Sequence, residues 1–570
     1  MTDLFFRVRH AEEAVPALSR EDLLAARLRP ARVISYQRST TPLASDISLA
    51  LCSGLLLILA FPDWNLWSLA WVGTAPLIMA AARTRRFWRG LLLGTITGTV
   101  FYVGTSYWVT YSMHNYGGIA LWLCYLIGVV FAAALGVFTG LFAGVVAFGV
   151  RRFGGWALIS APVVWPATEW ARLKITGLGW NALGYSQALQ HPAVIQLARF
   201  GGVYAVSALL VLVSTAVVFS VIYLERKRGV LVFSISGVIA AGAVVYGTWA
   251  VQDIPIEGSL RVAVVQPNVP ITDSWNDSDF VAETARRYIA LSEQALHRER
   301  PPSADQNSGG DRNDAPDSDS NDLVVWPEAQ INFEYERDPD LRQIVGDFTR
   351  RNRVYLLLNS WSNPDGRGPR NAAFVIAPSG EKISEYDKIA LVPFGEYVPL
   401  RGVIPFMNGI PALVADVTPG DKIELANVAA ARLGSLICFE ATRPEIARAM
   451  RHNGASALVQ ISNEAWFGPT SASRQMLAHA VFRAVENDVE LVRATNSGLS
   501  ALVDEQGRVD DLTPSFQTAV RNWTVKSVQQ ARPETFYARH GDLFAITCAA
   551  ASGLGIVACI VQKLSGRGGV

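Results

Sequence analysis

A cysteine, a lysine and a glutamate in the middle of this chain each stand just after an apolar strand or in a stretch leading to a Gly/Pro-marked turn. Cys438 follows Arg432-Leu433-Gly434-Ser435-Leu436-Ile437 and precedes Phe439 and Glu440. Glu328 follows Val324-Val325-Trp326-Pro327, where the proline ends a strand and presents the carboxylate. Lys388 opens Lys388-Ile389-Ala390-Leu391-Val392-Pro393-Phe394-Gly395-Glu396, a lysine with a carboxylate eight residues on. A thiol nucleophile needs a base to take its proton and a positive donor to hold the oxyanion of a tetrahedral intermediate. Glu328 and Lys388 are of the right types for those two tasks. Thr442 and Glu445 have capping-box spacing around Pro444, so a helix is expected to point its positive end at the sulfur and favour the thiolate. Each residue also has an ordinary reading. A cysteine closing a core strand is a small hydrophobe, a glutamate after a strand a solvated cap, and a lysine a surface charge.

The elements that must position these residues alternate between strands and helices. Apolar runs at 260–266, 323–326, 354–358, 372–377, 432–438, 455–461, 490–495 and 499–503 read as strands. Helices are expected over 279–298, 339–351 with Asp338 as cap, 444–453 and 473–487. This is an α/β pattern with sheets covered by helices. Residues 301–322 are Pro, Ser, Asn, Asp and Gly with almost no apolar side chains, and are expected to be a disordered insertion.

Around that segment the chain is far more apolar. Half of its 570 residues are hydrophobic and only 17% charged, and the apolar ones mass before residue 250 and after 542. A hydrocarbon core of about 30 Å needs about 20 apolar residues per helix. Spans are expected at 45–61, 66–82, 89–112, 119–150, 156–172, 201–223, 229–250 and 543–562. The division is thus a polar cytoplasmic tail over 1–44, about seven spans over 45–250, a polar domain over 251–542, and a last span with a short tail over 543–570. Arg83, Arg85, Arg86, Arg89, Arg151, Arg152, Arg226, Lys227 and Arg228 all fall on one side with the arginine-rich N-terminus. By the positive-inside rule that side, with both termini, is cytoplasmic, and the 251–542 domain is outside. Trp64, Trp67, Tyr111 and Tyr116 in the outer loops are expected to form an interfacial belt.

Glu169, in an otherwise apolar run, is either an intramembrane functional carboxylate or a partner of Arg172. The loop Gly177-Leu178-Gly179-Trp180-Asn181-Ala182-Leu183-Gly184-Tyr185 suits a mouth for a lipid or an interfacial anchor. A net charge of +1 gives no sign of a nucleic-acid partner, and the five cysteines and seven histidines show no metal-ligand spacing. Cys52, Cys124, Cys548 and Cys559 lie in the apolar runs, which leaves Cys438 alone in the polar domain.

Together Glu328, Lys388 and Cys438 resemble the Glu-Lys-Cys triad of the nitrilase (carbon-nitrogen hydrolase) superfamily. The narrower resemblance is to the apolipoprotein N-acyltransferase family. It rests on Trp326-Pro327-Glu328, the Lys388 stretch running into Leu391-Val392-Pro393-Phe394-Gly395-Glu396-Tyr397-Val398-Pro399, Ile437-Cys438-Phe439-Glu440, Ile461-Ser462-Asn463-Glu464-Ala465-Trp466-Phe467-Gly468, Arg493-Ala494-Thr495-Asn496-Ser497-Gly498, and Gly184-Tyr185. These motifs stand behind several spans and before one last span. The resemblance covers roughly residues 45–563.

The resemblance implies an extracytoplasmic α-β-β-α sandwich on a polytopic helical base in a bacterial inner membrane. Cys438 would take the sn-1 acyl chain of a membrane phospholipid, with phosphatidylethanolamine the candidate donor, as a thioester. Glu328 would be base and Lys388 oxyanion donor. The acyl chain would pass to the α-amine of the S-diacylglyceryl cysteine of an apolipoprotein, with no cofactor. Glu396 and Glu440 match the family's further essential carboxylates; Phe439 and Trp466, with Trp180 and Tyr185 of the membrane loop, would bind substrate. Where the family often has Tyr after the cysteine, this chain has Phe. Leu400 to Val414, rich in large apolar residues, is expected to be a lid dipping into the outer leaflet. Two other readings stand beside this one: a membrane-tethered amidase giving the acyl group to water, and a non-catalytic lipoprotein-binding scaffold.

Overall fold

The computed structural model describes residues 43–222, 227–251, 259–271, 278–297, 322–328, 333–399, 416–526 and 533–564. The expected N-terminal tail up to residue 42, the insertion from 301 to 321 and the lid at 400–414 lie outside the described residues.

The apolar part is helical, as a chain in hydrocarbon must be to satisfy its backbone. By length and composition, Leu43–Ala60, Leu121–Thr176, Ala198–Ile222, Gly229–Ala250 and Leu543–Gln562 are long and apolar enough to cross a membrane. The stretch expected as a span at 66–82 is broken into a 3-10 turn, Trp67–Trp71, and helix α2, Ala75–Thr84; α1 is Leu43–Ala60. The stretch expected over 89–112 is two helices, α3 Phe87–Thr105 and α4 Trp108–Asn115, parted at Ser106. Helix α5, Leu121–Phe153, meets α6, Ala161–Thr176, through a 3-10 turn.

Small residues let α3 and α5 approach closely. A Cβ added to Gly94 would stand 2.4 Å from the carbonyl oxygen of Thr139, so only glycine fits. A short helix α7, Pro192–Ile195, leads into α8, Ala198–Ile222, and then α9, Lys227–Ala250. Helix α9 turns Val230, Leu231, Phe233, Val238, Val245 and Trp249 outward, the surface a lipid phase covers.

The polar segment folds into two six-stranded sheets. One has the order β12-β1-β2-β3-β4-β5, the other β11-β10-β9-β8-β7-β6. In the first, β1 (Ser259–Gln266), β2 (Asp322–Val325) and β3 (Tyr355–Ser362) run parallel, with β4 (Arg370–Ile376) and β5 (Lys382–Asp387) returning antiparallel. In the second, β7 (Ala431–Ile437), β8 (Ala457–Ser462) and β9 (Leu491–Thr495) are parallel, and β10 (Ala501–Val503) pairs antiparallel with β9.

Alternation along the strands makes the layers. Val262, Val264, Leu323, Val325 and Leu357 join a core with Leu433, Leu436 and Leu458 of the other sheet. Ala263, Val265, Val324, Leu356 and Leu358 pack instead with Ala285 and Tyr288 of α10 (Ser278–His297) and with Val345 and Phe348 of α11 (Pro339–Asn352). Because both strand faces are buried, the parallel strands are continuous apolar runs. Asp338 caps α11, its carboxylate accepting from the Leu341 N–H at 3.0 Å.

Four further strands went unanticipated: β5, β6 (Leu425–Val428), β11 (Val509–Asp510) and β12 (Ala519–Lys526). All lie at sheet edges, where one wet face admits charge.

The sandwich sits on the helical base through α13, Ala472–Asn487. Glu486 accepts from the Val203 N–H at 3.2 Å, at the start of α8. Tyr111 and Tyr116, expected in an interfacial belt, face the sandwich instead. The Tyr116 hydroxyl donates to the Ala465 carbonyl at 3.1 Å, and a side chain at Gly468 would strike the Tyr111 ring.

Candidate active site

Strand β7 ends at Ile437, and Cys438 takes a left-handed backbone with φ of +51°. A non-glycine residue pays strain energy there, and such strain persists only where its surroundings fix it. Glu440 does the fixing. One of its oxygens accepts from the Ile437 N–H at 2.8 Å, the other from the Tyr386 hydroxyl at 2.9 Å, the Ile389 N–H at 2.7 Å and the Ala390 N–H at 3.2 Å. This buried carboxylate thus clamps the nucleophile turn to the segment just after Lys388. Burial pushes its carboxyl up to about 7, against donors that favour the carboxylate.

Lys388 is 1% exposed and lies between two carboxylates, 2.8 Å from Glu396 and 3.4 Å from Glu328. Burial opposes its charge, but the two carboxylates and the thiol more than offset that and hold the ammonium well above the ordinary lysine range. Asn371 on β4 donates to both carboxylates, at 2.9 Å to Glu328 and 3.1 Å to Glu396. Asn359 on β3 donates to the Asn371 carbonyl oxygen at 2.7 Å, which fixes the amide's orientation. The second oxygen of Glu328 accepts from the Asn463 N–H at 3.1 Å.

Cys438 is 6% exposed, and its thiol is pushed up to about 12, by burial first and then by the Glu328 charge; Lys388 and Ser462 pull the other way. This corrects the expectation of a helix-stabilised thiolate. Helix α12 does begin at Pro444 and runs to His452, but a 3-10 turn, Cys438–Thr442, separates it from the sulfur. Thr442 donates to the Phe439 carbonyl at 2.8 Å, and Glu445 pairs with Arg443, so no capping box forms. The resting thiol is protonated. A thiol in this state could attack only with a base beside it, and of the two carboxylates that raise it Glu328 has the larger effect.

Behind the thiol, a second buried group holds its backbone. Gln460 donates to the Cys438 carbonyl at 3.2 Å, Arg493 donates to Gln460 at 2.6 Å, and Arg493 pairs with Glu464. From α13, Arg483 donates to the Ala441 carbonyl at 3.0 Å and pairs with Glu486 at 2.6 Å.

An aromatic wall completes the site. Phe439, Trp180 and Met476 form one buried cluster, against which Trp108, Leu178, Ala390 and Val392 pack. Trp108, Leu178 and Trp180 come from the helical base, Ala390 and Val392 from the segment after Lys388. Trp466 lies edge-on to Tyr116 with ring centres 5.0 Å apart, at the seam between base and sandwich. Tyr185 packs on His479 and Phe482 of α13, at 4.1 and 4.9 Å between ring centres, rather than in the Phe439 cluster. Glu169 accepts from the Trp165 indole at 2.8 Å and the Leu183 N–H at 2.7 Å, while Arg172 donates to the Trp180 carbonyl. Together they pin the loop that carries Trp180.

Residues 53–216 match the family described as apolipoprotein N-acyltransferase N-terminal domain, and residues 261–532 match carbon-nitrogen hydrolase. The apolipoprotein N-acyltransferase of Geobacter metallireducens is 35% identical over 532 residues, 91% of this chain and 95% of the relative. That of Allorhizobium ampelinum is 31% identical, over 81% of this chain and 86% of the relative. The chain belongs to the apolipoprotein N-acyltransferase family. Among solved structures, Saccharomyces cerevisiae Nit3, a member of branch 10 of the nitrilase superfamily, aligns with a TM-score of 0.35 and 17% identity, over 51% of this chain and 97% of that one.

In this member of the apolipoprotein N-acyltransferase family, Glu328, Lys388, Cys438, Glu396 and Glu440 converge from three segments: the end of β2, the stretch 388–396 and the turn Cys438–Thr442. Several partners escaped the sequence reading. Asn371 opens an ordinary strand, and nothing local separates it from a strand-start asparagine. Gln475 and Trp108 meet only in the fold, since they are 367 residues apart in sequence.

Proposed function

We propose that this protein moves the sn-1 acyl chain of a phospholipid to the α-amine of an apolipoprotein's S-diacylglyceryl cysteine, in a ping-pong cycle through Cys438. In the first half, Glu328 takes the thiol proton as the sulfur attacks the ester carbonyl. Lys388, held charged between two carboxylates, stabilises the oxyanion. The tetrahedral intermediate collapses, the C–O bond breaks, and the leaving alkoxide takes the proton from Glu328 to depart as lysophospholipid. In the second half, the neutral amine attacks the thioester and Glu328 takes the amine proton. Collapse then expels the sulfur, to which Glu328 returns that proton. The ester is the activated donor, so no other energy source enters.

The observation that carries this reading is the composition of the wall beside the nucleophile. Phe439, the residue next to Cys438, is buried against Trp108 and Trp180 of the helical base. A soluble hydrolase would have to draw each chain from the bilayer at about 0.8 kcal/mol per CH₂. A nucleophile seated on the membrane helices avoids that cost. The flanking arginines support a sandwich on the outer side of a bacterial inner membrane, with both termini cytoplasmic. The domain bounds 45–250, 251–542 and 543–570 follow the same division.

A single-turnover experiment tests the reading: purified protein, phosphatidylethanolamine labelled in the sn-1 chain, and no acceptor. Hydroxylamine-sensitive label on the Cys438 peptide, transferable to a diacylglyceryl-cysteine peptide, is expected. Free labelled fatty acid in place of N-acylated peptide would make the protein a hydrolase. An unlabelled Cys438 in folded protein would leave a binding scaffold.

A further inference from the structure

We propose that Gln475 is a positioning residue that sets the acyl-chain preference of the site, by locking two indole rings from the helical base into one rigid wall beside the nucleophile. The proposal rests on the acyl-transfer reading above and adds to it which chains are accepted.

Gln475 lies on α13 of the sandwich and is 2% exposed. Its carbonyl oxygen accepts from the Trp180 indole at 2.6 Å and from the Trp108 indole at 3.2 Å. Indole nitrogens only donate, so the amide has one possible orientation, and both lone pairs of its oxygen are used. Its nitrogen donates to the Thr105 carbonyl at the end of α3, at 2.8 Å, and to the Ser471 hydroxyl at 3.2 Å. One side chain thus joins the end of α3, the start of α4, the Trp180 loop and α13. The two indoles it holds are 4.8 Å apart between ring centres, tilted 46° to each other. Trp180 packs directly on Phe439, one residue from the sulfur.

A bare hydrophobic contact would leave each indole free to turn about its two side-chain bonds. Hydrogen bonds from both rings to one buried oxygen remove that freedom, and a buried amide with a lost partner costs more than the bond itself. The wall is therefore a fixed, angled surface, its two ring planes set 46° apart. A straight saturated chain can run past a wall that does not yield, while a cis double bond turns the chain into it.

The test compares Cys438 thioester formation from two phosphatidylethanolamines that differ only in the sn-1 chain, sixteen carbons saturated or sixteen carbons with one cis double bond. Wild-type protein is expected to prefer the saturated chain. In Gln475→Leu that ratio falls about five- to tenfold, the size of one or two lost hydrogen bonds. Gln475→Glu restores it at a pH where the buried carboxyl is protonated, because the neutral acid accepts from both indoles and donates to Thr105. Should Gln475→Leu fail to fold, Trp180→Phe keeps the ring, drops one bond and shifts the ratio the same way.

Equal loss with both donors would reduce Gln475 to a structural residue and overturn the proposal, as would a wild-type protein without preference. A wild-type protein labelled by neither donor is a different result. It overturns the acyl-transfer reading itself and the specificity proposal with it.

Discussion

Two buried groups of charges bear on Cys438, one chiefly on its thiol and the other on its backbone. Lys388 with Glu328 and Glu396 acts on the thiol. Arg493 with Glu464, working through Gln460, acts on the same residue's carbonyl. The first group has one cation for two carboxylates. Its unequal count leaves a net negative charge beside the thiol. The second has one cation for one carboxylate. Charge left over is what separates a reactive cluster from a supporting one.

The sharpest way to break the comparison is to change the reactive group in opposite senses. Glu328 pushes the thiol up and Lys388 pulls it down. Glu328→Gln should therefore bring the thiol below its value of about 12, and Lys388→Met should carry it higher. Both variants should nonetheless lose acylation, by about 10²–10⁴-fold, since one lacks the base and the other the oxyanion donor. Alkylation of Cys438 by iodoacetamide, followed by mass spectrometry, reads the acidity. Because the raised thiol is protonated throughout neutral pH, the wild-type rate should climb about tenfold per pH unit from 7 to 10. A more acidic thiol with undiminished acylation in Glu328→Gln would remove Glu328 from the chemistry.

The supporting group should fail differently. Arg493→Met leaves the buried Glu464 charge unpaired and should cost about 3–5 kcal/mol of stability in detergent, whereas Arg493→Met with Glu464→Leu should recover most of it. Thermal unfolding of the two variants measures this. If the single variant kept its stability but lost acylation alone, the two groups would not differ in kind.

Glu440 sharpens the comparison from between the two. Its carboxylate accepts four donors from both sides of the site, and Glu440→Gln would turn an amide N–H₂ toward some of them. Losing hydrogen bonds to a charged group costs about 1.5–3 kcal/mol, so kcat should fall about 10- to 100-fold. KM for the phospholipid should hardly move, because the donors lie on the nucleophile turn and the Lys388 segment. A change in KM alone would make Glu440 part of the lipid site.

How much of this was written in the sequence depends on whether a residue's task is local. Cys438 and Glu328 stood out as candidates because each ends or follows an apolar run, Lys388 because it opens one that leads to a Gly/Pro turn, and Asp338 because a cap acts within one turn. The double-sided burial of β1, β2 and β7 was legible for the same reason. The edge strands β5 and β12 were hidden by their charges. The Thr442–Glu445 spacing misled, because a 3-10 turn claimed the residues before Pro444. Asn371, Gln475 and Arg483 act on groups brought near by the fold alone, and no spacing announces them.

Glu169 offers the smallest effect and the last contrast, a carboxylate in the helical base rather than the sandwich. Two of its donors, the Trp165 indole and the Leu183 N–H, go to the same oxygen. Glu169→Gln keeps a carbonyl oxygen for them and should change stability by about 1 kcal/mol or less, with acylation intact. Glu169→Ala leaves both donors unpaired and should cost about 1–3 kcal/mol, loosening the loop that carries Trp180. Comparing thermal unfolding with thioester formation separates the two roles. If Glu169→Gln folded as well as wild type yet formed no thioester, the charge itself would matter, and the base would contribute chemistry as well as a wall.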